Sequence, residues 1–135
     1  DLTTLPADVR RITLAQLSVY VVSVSGQISS LGPVMIDHVA YGANLTGSAY
    51  GLAALSSSTW SSMWSPGTRR AFGVMSWLED DVSHRTARGN RTQYRLRFST
   101  EASANGSVDA IFFSDALWPT QASQHPILSM VFEFP

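Results

Sequence analysis

The chain has 135 residues, of which 44% are hydrophobic and 14% charged, so it holds enough apolar material for one domain with a core. Its formal net charge of −1 shows no electrostatic footprint for duplex nucleic acid. The sequence also has no run of about 18 apolar residues, so no membrane-spanning helix is predicted. The absence of cysteine excludes disulfides and cysteine-ligated zinc. The composition therefore predicts a single domain over residues 1–135 and leaves its activity open.

Alternation of apolar and polar residues with period two predicts strands along most of the chain. The predicted strands cover residues 15–21, 34–41, 70–74, 93–98, 108–114 and 128–134. Segments rich in serine, glycine, asparagine and proline predict loops at residues 25–33, 42–51, 56–68, 102–107 and 118–126. Because side chains alternate along a strand, Arg95 and Arg97 are expected on the face opposite Tyr94, Leu96 and Phe98.

One short helix is predicted after residue 74. Ser76 and Glu79 have the spacing of a capping box, and Val74, Leu78 and Val82 recur as an apolar stripe, with Trp77 beside it as a core residue. The helix is expected to end between residues 84 and 89. Short strands, one helix and long polar loops predict an all-β fold, an antiparallel β-sandwich.

Several segments also carry a family resemblance. Residues 1–9 (DLTTLPADV) and 12–21 (ITLAQLSVYV) match a characteristic passage. Residues 72–74 and 77–78 match a strand that leads into a short helix, and residues 95–98, 108–114 and 126–132 match later strands. Together they resemble the DNRLRE-type domain, a family related to the disaggregatase accessory domains and to carbohydrate-binding module family 96. The resemblance covers most of the chain and implies a jelly-roll β-sandwich. Trp60 and Trp64 do not fall on the family's tryptophan-containing loop, and Gln124-His125 replaces the arginine of its closing motif.

Domains of that family have further strands before the segment that matches Asp1. Three explanations are open: a shortened variant, an N-terminal part that is cleaved or not included in the sequence, or a neighbouring chain that donates the strand. The third is of interest because an incomplete sheet leaves backbone groups unpaired, and strand addition joins subunits in known assemblies.

Aromatic and arginine side chains are the candidate ligand-binding residues. Sugar rings stack on flat indoles, so Trp60 and Trp64, in a predicted polar loop, are the first candidates and Trp118 the next. For Trp60 and Trp64, core packing and ligand stacking are equally open. Arg95 and Arg97, with Arg88 and Arg91 nearby in the sequence, present guanidinium groups suited to an acidic polysaccharide; the alternative is a solvated sheet face.

Residues for catalysis are sparse. His38, His84 and His125 lack metal-ligand spacing and are expected in structural or solvated positions, and no Gly-x-Ser-x-Gly motif is present. The acidic run at residues 79–81 fits either a solvated helix start, which we favour, or ligands for a structural calcium ion. We therefore expect no enzyme and no cofactor.

Three glycosylation sequons begin at Asn44, Asn90 and Asn105, all in predicted loops. They favour an extracellular or cell-surface glycoprotein. The sequence thus predicts a non-catalytic, secreted module that binds a polysaccharide through loop tryptophans and strand arginines. The alternative is a structural or adhesive subunit of a surface assembly, completed by a strand from a neighbouring chain.

Overall fold

The computed structural model describes residues 1–6, 9–61, 63–101, 105–115 and 122–134. The strands in those ranges are β1 (Arg11–Ser25), β2 (Val34–Val39), β3 (Ser56–Ser61), β4 (Thr68–Gly73), β5 (Gln93–Phe98), β6 (Ala110–Phe113) and β7 (Ile127–Glu133). The helix α1 spans Met75–Ser83, and short 3₁₀ turns lie at Ile28–Leu31, Gly47–Gly51 and Ala122–Gln124. The strands form two antiparallel sheets, which confirms the predicted all-β sandwich; the jelly-roll connectivity stays a prediction. No helix of these ranges is long and apolar enough to cross a bilayer.

The first sheet is built around β1, which at 15 residues is longer than the predicted strand at 15–21. Gln16 is paired with Gly73 of β4 on one edge and with Ser129 of β7 on the other. Further along, Val21 is paired with both β4 and β6. The strands β7 and β6 therefore follow one another along one edge of β1, and β4 covers the opposite edge.

The second sheet has β2 at its centre, between β3 and β5. The strand β3 lies in the segment predicted as a loop, so that prediction is wrong. Its Ser-rich sequence lacks an apolar pattern, but pairing with residues 34–38 of β2 provides the backbone hydrogen bonds that hold it extended. Trp60 is consequently a strand residue rather than a loop residue.

The core lies between the two sheets in two adjoining clusters. Ile36 of β2 packs with Ile12 and Ala15 of β1 in one cluster, while Val34 packs with Val19 and Val21 in the other. Burial of these side chains is the main favourable term for folding the sandwich.

The helix α1 closes one side of the first cluster. Val74 and Leu78 are 1% and 0% exposed, which confirms the predicted apolar stripe, and Trp77 packs against the same cluster. The predicted capping box is wrong: Val74 is the N-cap residue without a side-chain cap, and Ser76 lies inside the helix. The helix ends at Ser83, close to the predicted position.

Candidate functional site

A cleft of about 350 Å³ lies on the face of the β3–β2–β5 sheet that points away from the core. Strand alternation places it there, because Ile36 points into the core and Val39 therefore points outward. The residues that line the cleft are Val39, Tyr41, Leu45, Thr46, Gly47, Ala49, Tyr50, Tyr94 and Arg95. We call it the tyrosine cleft, after Tyr41 and Tyr50.

Tyr50 and Tyr94, both next to the cleft, lie on opposite sides of the sheet. Tyr50 is 57% exposed at the rim, and the guanidinium carbon of Arg95 lies 5.8 Å from the centre of its ring. Tyr94 borders the cleft from β5, but its ring lies on the inner face of the sheet, 6.0 Å from the ring centre of His38 and 6.1 Å from that of Trp77. Its hydroxyl oxygen accepts a hydrogen bond of 2.7 Å from Thr92. Burial raises the pKa of Tyr94 to about 12, and the negative charge of Asp81 acts in the same direction. Tyr94 is therefore a neutral phenol under physiological conditions.

Two polar side chains of β5 hold the walls of the cleft in place. Arg95 donates from Nη1 to the carbonyl oxygens of Ala49, Tyr50 and Leu52. The side chain of Gln93 accepts a hydrogen bond of 2.9 Å from the backbone of Tyr41 and donates one of 2.7 Å to the carbonyl of Gly42. Because both loop segments are bonded to one strand, the tyrosines are positioned before any ligand arrives.

The Asp37 cluster lies beneath this arrangement and consists of Asp37, Arg95, Arg97 and Ser57. Asp37 is fully buried, and its Oδ2 accepts hydrogen bonds from Arg95 Nη2 at 2.7 Å and from Arg97 Nε at 2.8 Å. Ser57 Oγ donates to Oδ1 at 2.7 Å. Burial alone would raise the pKa of Asp37, but the hydrogen bonds from Arg97, Ser57 and Arg95 hold it below its usual 3.8. Asp37 is thus a buried anion that two arginines share.

The structure therefore gives Arg95 and Arg97 a partner that the sequence analysis did not foresee. They share one sheet face as predicted, but both guanidinium groups bind Asp37, and their side chains are only 15% and 29% exposed. Arg95 lines the tyrosine cleft, whereas Arg97 lines a smaller slot at the other end of β5. Their binding of a ligand stays a prediction.

The two tryptophans predicted as ligand platforms pack together in the core. Trp64 is 8% exposed, and its ring meets the half-buried ring of Trp60 edge-on with 5.5 Å between centres. Each indole N–H is used within the fold: Trp60 donates to the carbonyl of Ala71 and Trp64 to that of Ser61. Core packing accounts for both side chains, and neither lines the tyrosine cleft. Trp118 lies outside the described residues.

A second buried polar group joins α1 to the central strand of the second sheet. His38 and Asp81 are each 1% exposed, and 2.9 Å separates Nε2 of the imidazole from Oδ2 of the carboxylate. Arg88 donates to the other carboxylate oxygen, and the imidazole stacks on Trp77 with 5.8 Å between ring centres. The predicted structural place for His38 agrees with this position, deep in the fold.

For Asp81 the expectation of a solvated helix start is wrong. Burial would raise the pKa of Asp81, but hydrogen bonds from His38, Thr92 and Arg88 outweigh it and lower that pKa below 3.8. Asp80, 42% exposed, is paired with Arg88 at 2.7 Å. No group of three or more His, Asp or Glu side chains placed to hold a metal ion occurs among the residues that the structure describes.

Apart from Arg95, the residues that line the tyrosine cleft were not identified as site residues by the sequence analysis. Tyr41 stands at the end of the predicted strand 34–41 and Tyr50 in the predicted loop 42–51, and the signal that marks both is a tyrosine followed directly by glycine. Asp37 also had a signal, since it is a single acidic residue inside the apolar run of β2. A carboxylate in such a run requires a buried partner of opposite charge.

Comparison with known proteins finds no family model that matches the chain, and no curated protein or solved structure is similar at a significant level. The class that the structure defines is an all-β sandwich with an aromatic cleft on the outer face of one sheet.

Proposed function

We propose that this protein is a non-catalytic module that binds a saccharide in the tyrosine cleft. The observation that carries the proposal is the cleft itself, whose tyrosines and single arginine are fixed in place by β5. The site differs from the tryptophan loop suggested by the sequence, but the class of ligand is the same.

The chemistry of the lining suits a sugar ring. A phenol ring presents an electron-rich face to the weakly polarised C–H groups of a pyranose, while its hydroxyl exchanges hydrogen bonds with those of the sugar. Tyr50 offers such a face at the rim, and Thr46 adds a hydroxyl. A volume of about 350 Å³ is at the lower end of the range for small-molecule sites, which fits one or two sugar units.

The same lining argues against hydrolysis of the bound sugar. Glycoside hydrolysis uses a pair of carboxyl groups about 5–10 Å apart on either side of the bond that is cleaved. The described residues that line the tyrosine cleft include no Asp, Glu or His. The resemblance to the DNRLRE-type domain and the three sequons support an extracellular or cell-surface location, which is part of this proposal.

Binding to immobilised polysaccharides, measured by affinity electrophoresis across neutral and acidic gels, tests the proposal. We expect Tyr50→Ala to weaken retention about tenfold, because a rim aromatic of this kind carries a large share of the contact. Tyr20→Ala is the matched control, since Tyr20 lies on β1 of the other sheet and is expected to leave retention unchanged. Equal retention of wild type and Tyr50→Ala would exclude the tyrosine cleft as the binding site.

The second candidate function, a subunit completed by a neighbouring strand, has its own observation. Between the sheets lies an apolar slot of about 130 Å³, lined by Val34, Leu96, Arg97, Phe98, Ile111 and Phe113. Within the described ranges β5 pairs only with β2, so one edge of β5 borders this slot without a paired strand. An extended segment with alternating apolar side chains fits both features: its backbone can pair with that edge of β5, and its apolar side chains can fill the slot.

Light scattering over a range of concentrations tests this candidate. We expect self-association of the wild type, reduced in Phe98→Gln at the slot and retained in Val131→Gln, an exposed apolar residue on the far face of the other sheet. A monomer of constant mass at all concentrations would argue against a structural subunit that completes itself with its own copies.

A further inference from the structure

The three sequons lie in very different surroundings. The side chain of Asn105 donates to Asp109 Oδ2 at 2.9 Å and accepts a hydrogen bond from the backbone of Ser107, also at 2.9 Å. Asp109 in turn accepts a hydrogen bond of 2.6 Å from the backbone of Gln27. Nδ2 of Asn105, the atom to which a sugar is attached, is therefore already engaged in a hydrogen bond of the loop.

Asn90 is also committed to the fold. It adopts a φ of 58°, and its backbone N–H and carbonyl are bonded to Arg85 and Leu2, both at 2.7 Å. Its side chain is only partly exposed. The left-handed backbone, the local hydrogen bond to Arg85 and the long-range one from Leu2 fix this residue at the junction between the N-terminal segment and the end of α1.

Asn44 differs from both. It is exposed, and within the described residues its side chain makes no hydrogen bond, so a sugar can leave the surface there without displacing a contact. The other members of its sequon, Leu45 and Thr46, both line the tyrosine cleft. Leu45 is 75% exposed, which leaves the rim beside Asn44 open to an attached group.

We propose that N-glycosylation of Asn44 closes the tyrosine cleft, because the attached glycan occupies it from the rim. The modification forms a bond between Nδ2 of Asn44 and the anomeric carbon of a lipid-diphosphate-linked oligosaccharide. The anomeric C–O bond of that donor breaks, the lipid diphosphate leaves, and one proton is lost from the amide. The inference rests on the proposed function, since it takes the cleft to accept sugar rings.

Proximity is the physical reason that the attached glycan prevails over free saccharides. A ligand tethered next to its site has an effective concentration of about 1 mM or more, which saturates a site of modest affinity. The glycan on Asn44 starts two residues from Thr46 of the lining, so its first sugar units remain within reach of Tyr50. In the glycosylated chain the tyrosine cleft is therefore occupied by the chain's own glycan, and in the unmodified chain the cleft is open to other saccharides.

The experiment compares three proteins produced in the same secretory eukaryotic host: the wild type, Asn44→Gln, and Asn105→Gln as the matched control. Mass spectrometry establishes occupancy of each asparagine. Nitration of Tyr50 by tetranitromethane then measures access to the cleft without any added saccharide. We expect nitration of Tyr50 to be slower by about tenfold in the wild type than in Asn44→Gln, and Asn105→Gln to resemble the wild type.

Retention on polysaccharide gels gives the second measurement. The protein from a non-glycosylating host serves as the open reference, because its cleft carries no attached glycan. We expect the open reference and Asn44→Gln to bind alike and the glycosylated wild type to bind less. An unoccupied Asn44, or equal nitration of Tyr50 in wild type and Asn44→Gln, overturns the inference. If the open reference binds no saccharide, the proposed function fails, while the nitration result still decides whether the glycan covers the cleft.

Discussion

Replacing Asp37 by Asn is expected to lower the free energy of unfolding by about 3 kcal/mol, because removing one partner of a buried ion pair leaves the other charge uncompensated. The change keeps the shape of the side chain and removes its charge from between Arg95 and Arg97. For a chain of this length the loss corresponds to a fall in Tm of about 10 °C. Urea unfolding at neutral pH measures it.

The effect of Asp37→Asn should also depend on pH in a defined direction. The pKa of Asp37 is below 3.8 in the folded chain and 3.8 in the unfolded one, so the carboxylate stabilises the fold above about pH 3.8. This contribution is lost as the pH falls through the lowered folded pKa. The difference in free energy of unfolding between wild type and Asp37→Asn should therefore be constant from pH 7 to pH 5 and shrink below pH 3.8.

Asp80→Asn is the control for a charge change at the surface. Asp80 is 42% exposed and paired with Arg88, and exposed pairs contribute about 1 kcal/mol or less. If Asp37→Asn cost no more than Asp80→Asn, the Asp37 cluster would not be the stabilising element described above.

The Asp37 cluster connects stability to the candidate site. Asp37 fixes the guanidinium group of Arg95, and Arg95 holds the backbone of the 3₁₀ turn at Gly47–Gly51, which carries Tyr50. We expect Asp37→Asn to loosen this turn as well as destabilise the fold. Asp37 and Arg95 therefore act as positioning residues for the rim of the tyrosine cleft.

The regular elements were predictable because they depend on local patterns. The strand at Gln93–Phe98 and the stripe of Val74 and Leu78 follow from alternation with period two and from helical spacing, and both are present. The strand β3 was not predictable in this way. Its serines and Thr59 carry no alternating apolar pattern, and only the pairing with β2 makes them a strand.

The cleft could not be predicted because it depends on contacts between distant residues. Arg95 and Asp37 are 58 positions apart, and Arg95 and the carbonyl of Tyr50 are 45 apart. Sequence spacing indicated which face of β5 carries the arginines, but it did not show that a buried acid and a folded loop cover that face. The tryptophans show the same limit, since polar neighbours in the sequence do not determine which side chains face the core.

Truncating Trp64 to Ala is expected to cost about 3–5 kcal/mol of unfolding free energy, because it removes a buried indole and leaves a cavity between the sheets. The ring of Trp64 contacts Trp60 and Phe113 edge-on, each with 5.5 Å between ring centres, and the guanidinium carbon of Arg70 lies 5.9 Å from its centre. Truncation removes all of these contacts together with the hydrogen bond to Ser61. Chemical denaturation measures the loss.

Two further variants separate packing from ligand binding at this position. Trp64→Phe fills most of the space, so we expect a smaller loss of stability than in Trp64→Ala and unchanged retention on polysaccharide gels. Tyr50→Ala removes an exposed ring, so we expect it to change stability by about 1 kcal/mol or less and to weaken retention. If Trp64→Phe folded but no longer bound the polysaccharide, while Tyr50→Ala still bound it, the binding site would lie at the tryptophans and not in the tyrosine cleft. Opposite effects of the two residues on stability and on binding are expected because one ring lies between the sheets and the other at the rim of the cleft.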